Sequence, residues 1–331
     1  MKHIFCKINW RLCAGLLAGA VFAWPSAAAA QDNYPSHEIS FVVPYSPGGL
    51  PDTVARFVAE QLGKRLKQSV VVQNKPGANG VVAANVIKTN KADGYTFLVT
   101  DGSMVSINPH IYKDLSYSPT KDFVPVSLIA TSPLFLAANK SFGVKTFQEF
   151  VDKVKANPDA YTYGSSGVGS SHHLTMEALK AALKLQIRHV PYRGSGQSVP
   201  ALVGDQVQVI FAALPSLKGF VDQGSVSVLA SNSLKRSSLA NDIPTISETV
   251  PGFDYAVTVG ILARTGTPQK AIDLISSEVA KIAADPEFAQ RLAAQGIEAV
   301  GGDAATYAAS LREESDRYSQ TIEHAHVLQN Q

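Results

Sequence analysis

The chain has 331 residues, 45% of them apolar and 17% charged, with a formal net charge of +2. That is enough apolar material for about two domains with buried cores, which excludes a mostly disordered polypeptide. Basic residues never run beyond a pair such as Lys64-Arg65, so the field that nucleic-acid binding needs is missing.

Residues 1–30 read as a secretory leader. Lys2, Lys7 and Arg11 supply the positive start, Leu12 to Ala23 the apolar stretch, and Ser26 to Ala30 the small residues before cleavage at Gln31. The apolar stretch is about a dozen residues, short of the roughly 20 that span a bilayer. Cys13 precedes most of that stretch, whereas a lipid-anchoring cysteine follows it, so neither anchor is expected. The leader takes three basic residues and no acidic one, turning +2 into −1. It also takes Cys6, Cys13, Trp10 and Trp24, leaving no thiol, disulfide or cysteine–metal chemistry. The bacterial periplasm is the expected compartment.

Short β-rich runs then alternate with amphipathic helical segments, which predicts α/β architecture with largely parallel sheets. Glu38–Pro44 reads as a strand, Asp52 to about Leu66 as a helix with Val54, Phe57, Val58, Leu62 and Leu66 on one face. Further strands are expected at 70–73 and 95–100. Thr146 and Glu149 form a capping-box pattern before a helix that ends near Asn157-Pro158. Strands follow at 161–163, 187–190, 207–211 and 226–230. Val126–Ala138 and Tyr255–Ala263 read as crossovers between two lobes. Helices at 268–284 and 286–295, a strand at 297–300 and a long helix from about Ala304 close the chain.

Four loops sit where strands meet helices, the place where α/β sheets bind ligands. In Tyr45–Asp52 the glycines let backbone approach a ligand, and a helix start attracts anions. Asp52 competes for a role as helix N-cap. Tyr163–His173 offers amides and hydroxyls at another helix start, without the Lys of a P-loop or a dinucleotide-binding glycine spacing. His173 reads as structural. Asp101–Pro109 is the third loop and Pro191–Gly196 the fourth, where Arg193 either faces an anion or braces the hinge. A serine hydrolase has weak grounds, because no G-x-S-x-G elbow occurs and Ser118-Pro119-Thr120-Lys121 lies in a proline-containing loop. His324-Ala325-His326 places its histidines at i and i+2, which diverge on a helix and make no metal pair.

Across residues 34–326 the sequence resembles the Bug-type periplasmic solute-binding proteins of tripartite tricarboxylate transporters. The resemblance rests on VVPYSPGG-x-x-D at 42–52, VVVQNKPGANG at 70–80, ADGYTFLV at 92–99, INPHIY at 107–112 and KDFVPVSLIA at 121–130. YGSSGVGSSHHL at 163–174, HVPYRGSG at 189–196, LPSLKGFVDQG at 214–224, DIPTISE at 242–248 and TGTPQKAID at 265–273 continue it in order. It implies an α/β, two-lobed Venus-flytrap fold of type II-like kind, with a mixed sheet in each lobe and two crossover strands. The expected lobes are 31–130 plus 255–331, and 131–254.

The resemblance further implies capture of a small organic carboxylate and delivery to membrane permease subunits, by a monomer with no catalysis, cofactor, metal or nucleic acid. Ser46, Gly48, Gly49, Leu50 and Asp52 would face Ser166, Gly167, Ser170 and Ser171. Ser103, Ser106, His172, Arg193, Ala212 and Thr258 complete the expected site. Two departures from the family pattern bear on the ligand. Phe211-Ala212-Ala213-Leu214-Pro215-Ser216 lacks the family's acidic residue, and Val257-Thr258-Val259-Gly260 lacks its tryptophan. A wider, less polar cleft is expected, suited to an aromatic dicarboxylate of terephthalate type. The alternatives are a secreted hydrolase using Ser166 or Ser170 with His172, and a binding protein that signals to a membrane sensor.

Overall fold

The computed structural model describes residues 34–237 and 240–324. The expected leader and His326 lie outside the described residues. The chain opens with β1 (Ile39–Val43), α1 (Leu50–Leu66), β2 (Val70–Asn74), α2 (Val81–Thr89) and β3 (Thr96–Thr100). Two single-turn helices follow, α3 (Ser103–Ser106) and α4 (Asn108–Ile111), and then α5 (Pro119–Asp122) and β4 (Phe123–Ser132). The expected loop around Ser118–Lys121 is therefore partly helical. Pro119 opens α5 at a position where a missing amide costs nothing.

The chain crosses into a second sheet with β5 (Phe135–Asn139), α6 (Phe147–Ala156), β6 (Thr162–Ser165), α7 (Ser171–Leu183) and β7 (Arg188–Pro191). α8 (Ser195–Val203), β8 (Val209–Ala212), α9 (Leu214–Asp222) and β9 (Val226–Ser231) complete that part. It returns through β10 (Val257–Arg264), α10 (Gln269–Ala283), α11 (Pro286–Ala293), β11 (Glu298–Gly302) and α12 (Ala304–His324).

Strand order is β11-β4-β10-β3-β1-β2 in the first sheet and β7-β6-β8-β5-β9 in the second. Both sheets are mixed. β1 pairs in parallel with β2 and β3, and β6 with β7 and β8. Every pairing of β4, β5, β10 and β11 is antiparallel, so the expectation of largely parallel sheets fails. The reason is that β4 and β10, which carry the chain out of and back into the first sheet, lie side by side and run in opposite directions.

Alternation in the central strands builds three layers. In β1, Ile39, Phe41 and Val43 face one core with Val54, Val58 and Leu62 of α1, while Val42 faces a second with Ala83, Ala84 and Ile87 of α2. β3 divides the same way, Phe97 and Val99 against Leu98. In the second sheet Leu136 and Phe211 face the first core, whereas Phe135, Ile210 and Ala212 pack with Val199, Leu202 and Leu217 on the other side.

One side chain ties the two crossings together. Asn232, fully buried, accepts from the Leu134 amide at 2.7 Å and donates to the Tyr255 carbonyl at 2.5 Å. Its backbone donates to Leu134 O and accepts from Tyr255 N, both close to 2.9 Å. Asn232 thus adds a side-chain link between outgoing and returning chain beyond the β4–β10 ladder. Among the described residues no helix is long and apolar enough to cross a membrane.

Candidate functional site

The turn between β1 and α1 reverses at Gly48, whose φ of +84° favours glycine. Gly49 is the N-cap and Leu50 the first helical residue, so Asp52 is not the cap. Asp52 lies inside the first turn, where Oδ2 accepts from the Gly48 amide at 2.9 Å and from Arg56. Its Oδ1 receives Arg56 Nη2 and Asn74 Nδ2, each at 2.9 Å. Burial alone would raise its pKa, but these donors outweigh it and hold the carboxyl below its usual value. Asp52 is spent on bracing the loop, and the Gly48 amide is spent on Asp52. Leu50 keeps an amide with no intrahelical acceptor, as a first helical residue must.

α7 starts on the other lobe. Ser170 caps it, accepting from His173 N at 3.2 Å while its hydroxyl donates to Gly167 O at 2.7 Å. Gly167 and Gly169, at φ +127° and +77°, bend the chain into that start. The Ser166 hydroxyl lies 2.7 Å from His172 Nδ1. Burial pushes His172 down to about 4, so the ring is neutral. His173 belongs to the scaffold, stacked on His189 with ring centroids 4.1 Å apart, as expected of a structural residue.

The two lobes are pressed together around these starts. Ser46 N donates to Arg193 O at 3.3 Å, and the Ser216 hydroxyl to Gly48 O at 2.9 Å. Asn79 Nδ2 donates to Gly169 O at 2.6 Å, and the Ser171 hydroxyl to Asp101 Oδ2 at 3.0 Å. A Cβ on Gly196 would stand 2.4 Å from Pro47 O, so glycine is required for this approach. The Ser46 hydroxyl is buried there without a partner.

Closure leaves an inner cavity of only about 10 Å³, lined by Tyr45, Gly49, Leu50, Pro51, Asp101, Ser166, His172, Ser195 and Val257. That is room for about one water. A ligand seated between the helix starts therefore needs the lobes farther apart than they stand here. Tyr45 and Ser166 also line an outer cavity of about 210 Å³. Tyr112, Tyr192 and the exposed Arg193 border it, together with Asn79 and Gly167. A larger cavity of about 380 Å³ lies elsewhere, between the C-terminal halves of α7 and α12. None of the sequence-predicted residues lines it, so its size does not make it the site.

Several predicted residues stand behind the cleft. Ser106 bonds Gly102 O at 3.2 Å and Glu314 at 3.4 Å, and Thr258 donates to the other oxygen of Glu314. Glu314, on α12, is pushed up to about 8 by burial, with Asp101 adding repulsion. Ala212 packs into the core of the second lobe. Thr258 takes part in this polar cluster, while Gly260 receives the Tyr307 ring, 2.4 Å from where its Cβ would be.

Asp101 was legible only as part of a loop, yet it reaches the cleft. Its Oδ1 lies 3.0 Å from the Tyr45 hydroxyl and 3.2 Å from the Ser103 amide. Burial raises its pKa against the pull of those donors. Tyr45 and Ser195 also belong to the lining and were not singled out; their sole signal was position at the C-terminal end of a strand. Among the described residues no group of histidine, cysteine and acidic side chains could hold a metal.

A family model described as tripartite tricarboxylate transporter family receptor matches residues 54–327. The UPF0065 protein in the tcbD-tcbE intergenic region of Pseudomonas sp. (strain P51) is 30% identical, over 96% of this chain and 95% of its own length. The structure is similar to that of R. palustris Rpa4515 with adipate, at a TM-score of 0.86 and 30% identity, covering 88% of this chain and 98% of that one. It is also similar to MatC from Rhodopseudomonas palustris with bound malate, at 0.80 and 28%, covering 87% and 100%.

Proposed function

Since the chain belongs to the tripartite tricarboxylate transporter receptor family, we propose that it captures a small organic carboxylate in the periplasm and delivers it to a membrane permease. The observation that carries this reading is the meeting of two helix starts, α1 and α7, across a cleft stitched shut by hydrogen bonds from both lobes. Helix starts supply amide donors and a positive dipole end, which a carboxylate complements. The nearly neutral surface gives no long-range pull, so the local donors must hold the anion. Gly49, Leu50, Ser166 and Ser195 are the proposed inner contacts, with Arg193 at the outer mouth. Residues 31–130 with 255–331 and residues 131–254 act as the two closing bodies. A ligand that touches both lobes favours the closed state by its added contacts there.

The relatives described with adipate and with malate support a linear or short dicarboxylate. An aromatic dicarboxylate of terephthalate type finds support in the outer cavity, which Tyr112, Tyr192 and Arg193 all line. Titration calorimetry of the purified protein against adipate, malate, terephthalate and citrate separates these readings. Micromolar binding, about 8 kcal/mol, is expected for one of the dicarboxylates. Binding of citrate alone would remove the aromatic reading. Uptake measured after deletion of the gene separates delivery to a permease from signalling, since signalling leaves uptake intact.

The Ser166–His172 contact favours a second reading, a serine hydrolase. Among the described residues no carboxylate bonds His172, and Asp101 is bonded to Tyr45, Ser103 and Ser171 instead. Turnover of p-nitrophenyl acetate that disappears in Ser166→Ala would establish it.

A further inference from the structure

Asp101 directly follows β3, is 7% exposed and lines the inner cavity between the two helix starts. A carboxylate offers about four acceptor positions. The Tyr45 hydroxyl and the Ser103 amide address Oδ1, and the Ser171 hydroxyl addresses Oδ2. One position on Oδ2 is left, which the neighbouring Ser103 hydroxyl, buried without a hydrogen-bond partner among the described residues, does not fill. The Tyr45 proton is itself shared, since Asn79 Oδ1 lies 3.1 Å from the same hydroxyl.

No charge in the cavity answers that carboxylate. Among the described residues no Lys or Arg lines it, and the His172 ring that does is neutral. Among the described residues Asp101 forms no ion pair. A plain dicarboxylate would bring a second negative charge against it. A hydroxyl or ammonium group on the ligand would instead supply the missing donor.

Resting on the carboxylate-capture reading, we propose that Asp101 selects the ligand by accepting a hydrogen bond from a hydroxyl or ammonium group on its carbon skeleton. The site then prefers hydroxy- or amino-substituted acids over the unsubstituted acid of the same length. An ammonium also answers the charge, so it gains more than a hydroxyl does.

Calorimetry on the purified protein tests this with matched sets: succinate, L-malate and L-aspartate; glutarate, 2-hydroxyglutarate and L-glutamate; terephthalate and 2-hydroxyterephthalate. In at least one set the substituted acid is expected to bind about tenfold or more tighter than its parent. Asp101→Ala should erase the preference. Asp101→Asn should keep part of it for the hydroxyl and lose it for the ammonium, which tells the two donors apart. The idea is overturned if the parent acids bind as well as the substituted ones in the unaltered protein, a comparison that needs no variant to fold. It is equally overturned if Asp101→Ala folds and keeps the preference. If neither these acids nor adipate bind, carboxylate capture itself fails, and this inference fails with it.

Discussion

Neutral His172 determines what Ser166 can offer. With Nδ1 protonated, the ring donates to the Ser166 oxygen and leaves the hydroxyl proton for a ligand; in the other tautomer the ring takes that proton. Carboxylate capture needs the first arrangement, so Ser166→Ala should weaken binding of the cognate acid by about ten- to a hundredfold in calorimetry. An unchanged affinity would show that the hydroxyl plays no part in the seat. Single residues were the least legible level of the sequence. Ser166, Gly49 and Leu50, marked by loop position, line the inner cavity. Loop position could not show that Asp52 turns inward to Arg56 and Asn74, or that Ser106 and Thr258 turn back to Glu314. Apart from Arg56, four residues from Asp52, the partners that set those orientations lie 22 to 208 residues away.

Elements were far more legible, because their signals are local. The helices expected at 52–66, 268–284 and from 304 match α1, α10 and α12 closely. Thr146 caps α6, accepting from Glu149 N at 3.2 Å. The reach of Glu149 back to the Lys145 amide was not visible beforehand. What the pattern missed was strand direction, since an apolar run reads the same both ways. The crossings behave as one element through Asn232. Asn232→Ala removes both side-chain bonds and strands the buried Leu134 amide, so stability should fall by about 1–3 kcal/mol in denaturant titration. No change in the unfolding midpoint would mean that the backbone bonds suffice.

For the whole molecule, two sets of buried groups pull stability in opposite directions with pH. His172 and His173 are lowered by burial to about 4 and His189 to about 3. Unfolding lets them take up protons, so they cost stability as pH falls below about 6.5. Glu314 works the other way. Its pKa is raised to about 8 when folded, so the folded state holds a proton that the unfolded chain gives up. Stability from this group is full below about 4.5 and declines as pH rises towards 8. Glu314→Gln should therefore gain on the unaltered protein between pH 5 and pH 8, read as a growing difference in melting temperature. A difference that stays flat across that range would remove the buried acid from the account.

The order β11-β4-β10-β3-β1-β2 also dictates a sequence of assembly. Every strand of the second sheet lies between Phe135 and Ser231, so that sheet can close as soon as this stretch exists. The first sheet cannot. Its central strand β10 begins at Val257, and until it arrives β3 and β4 each present an open edge. Open edges invite pairing with other chains, and strands joined across long stretches of sequence form slowly. The inserted lobe is thus set to mature first and the outer one last, with the nascent chain most vulnerable to aggregation just before its C-terminal quarter is complete.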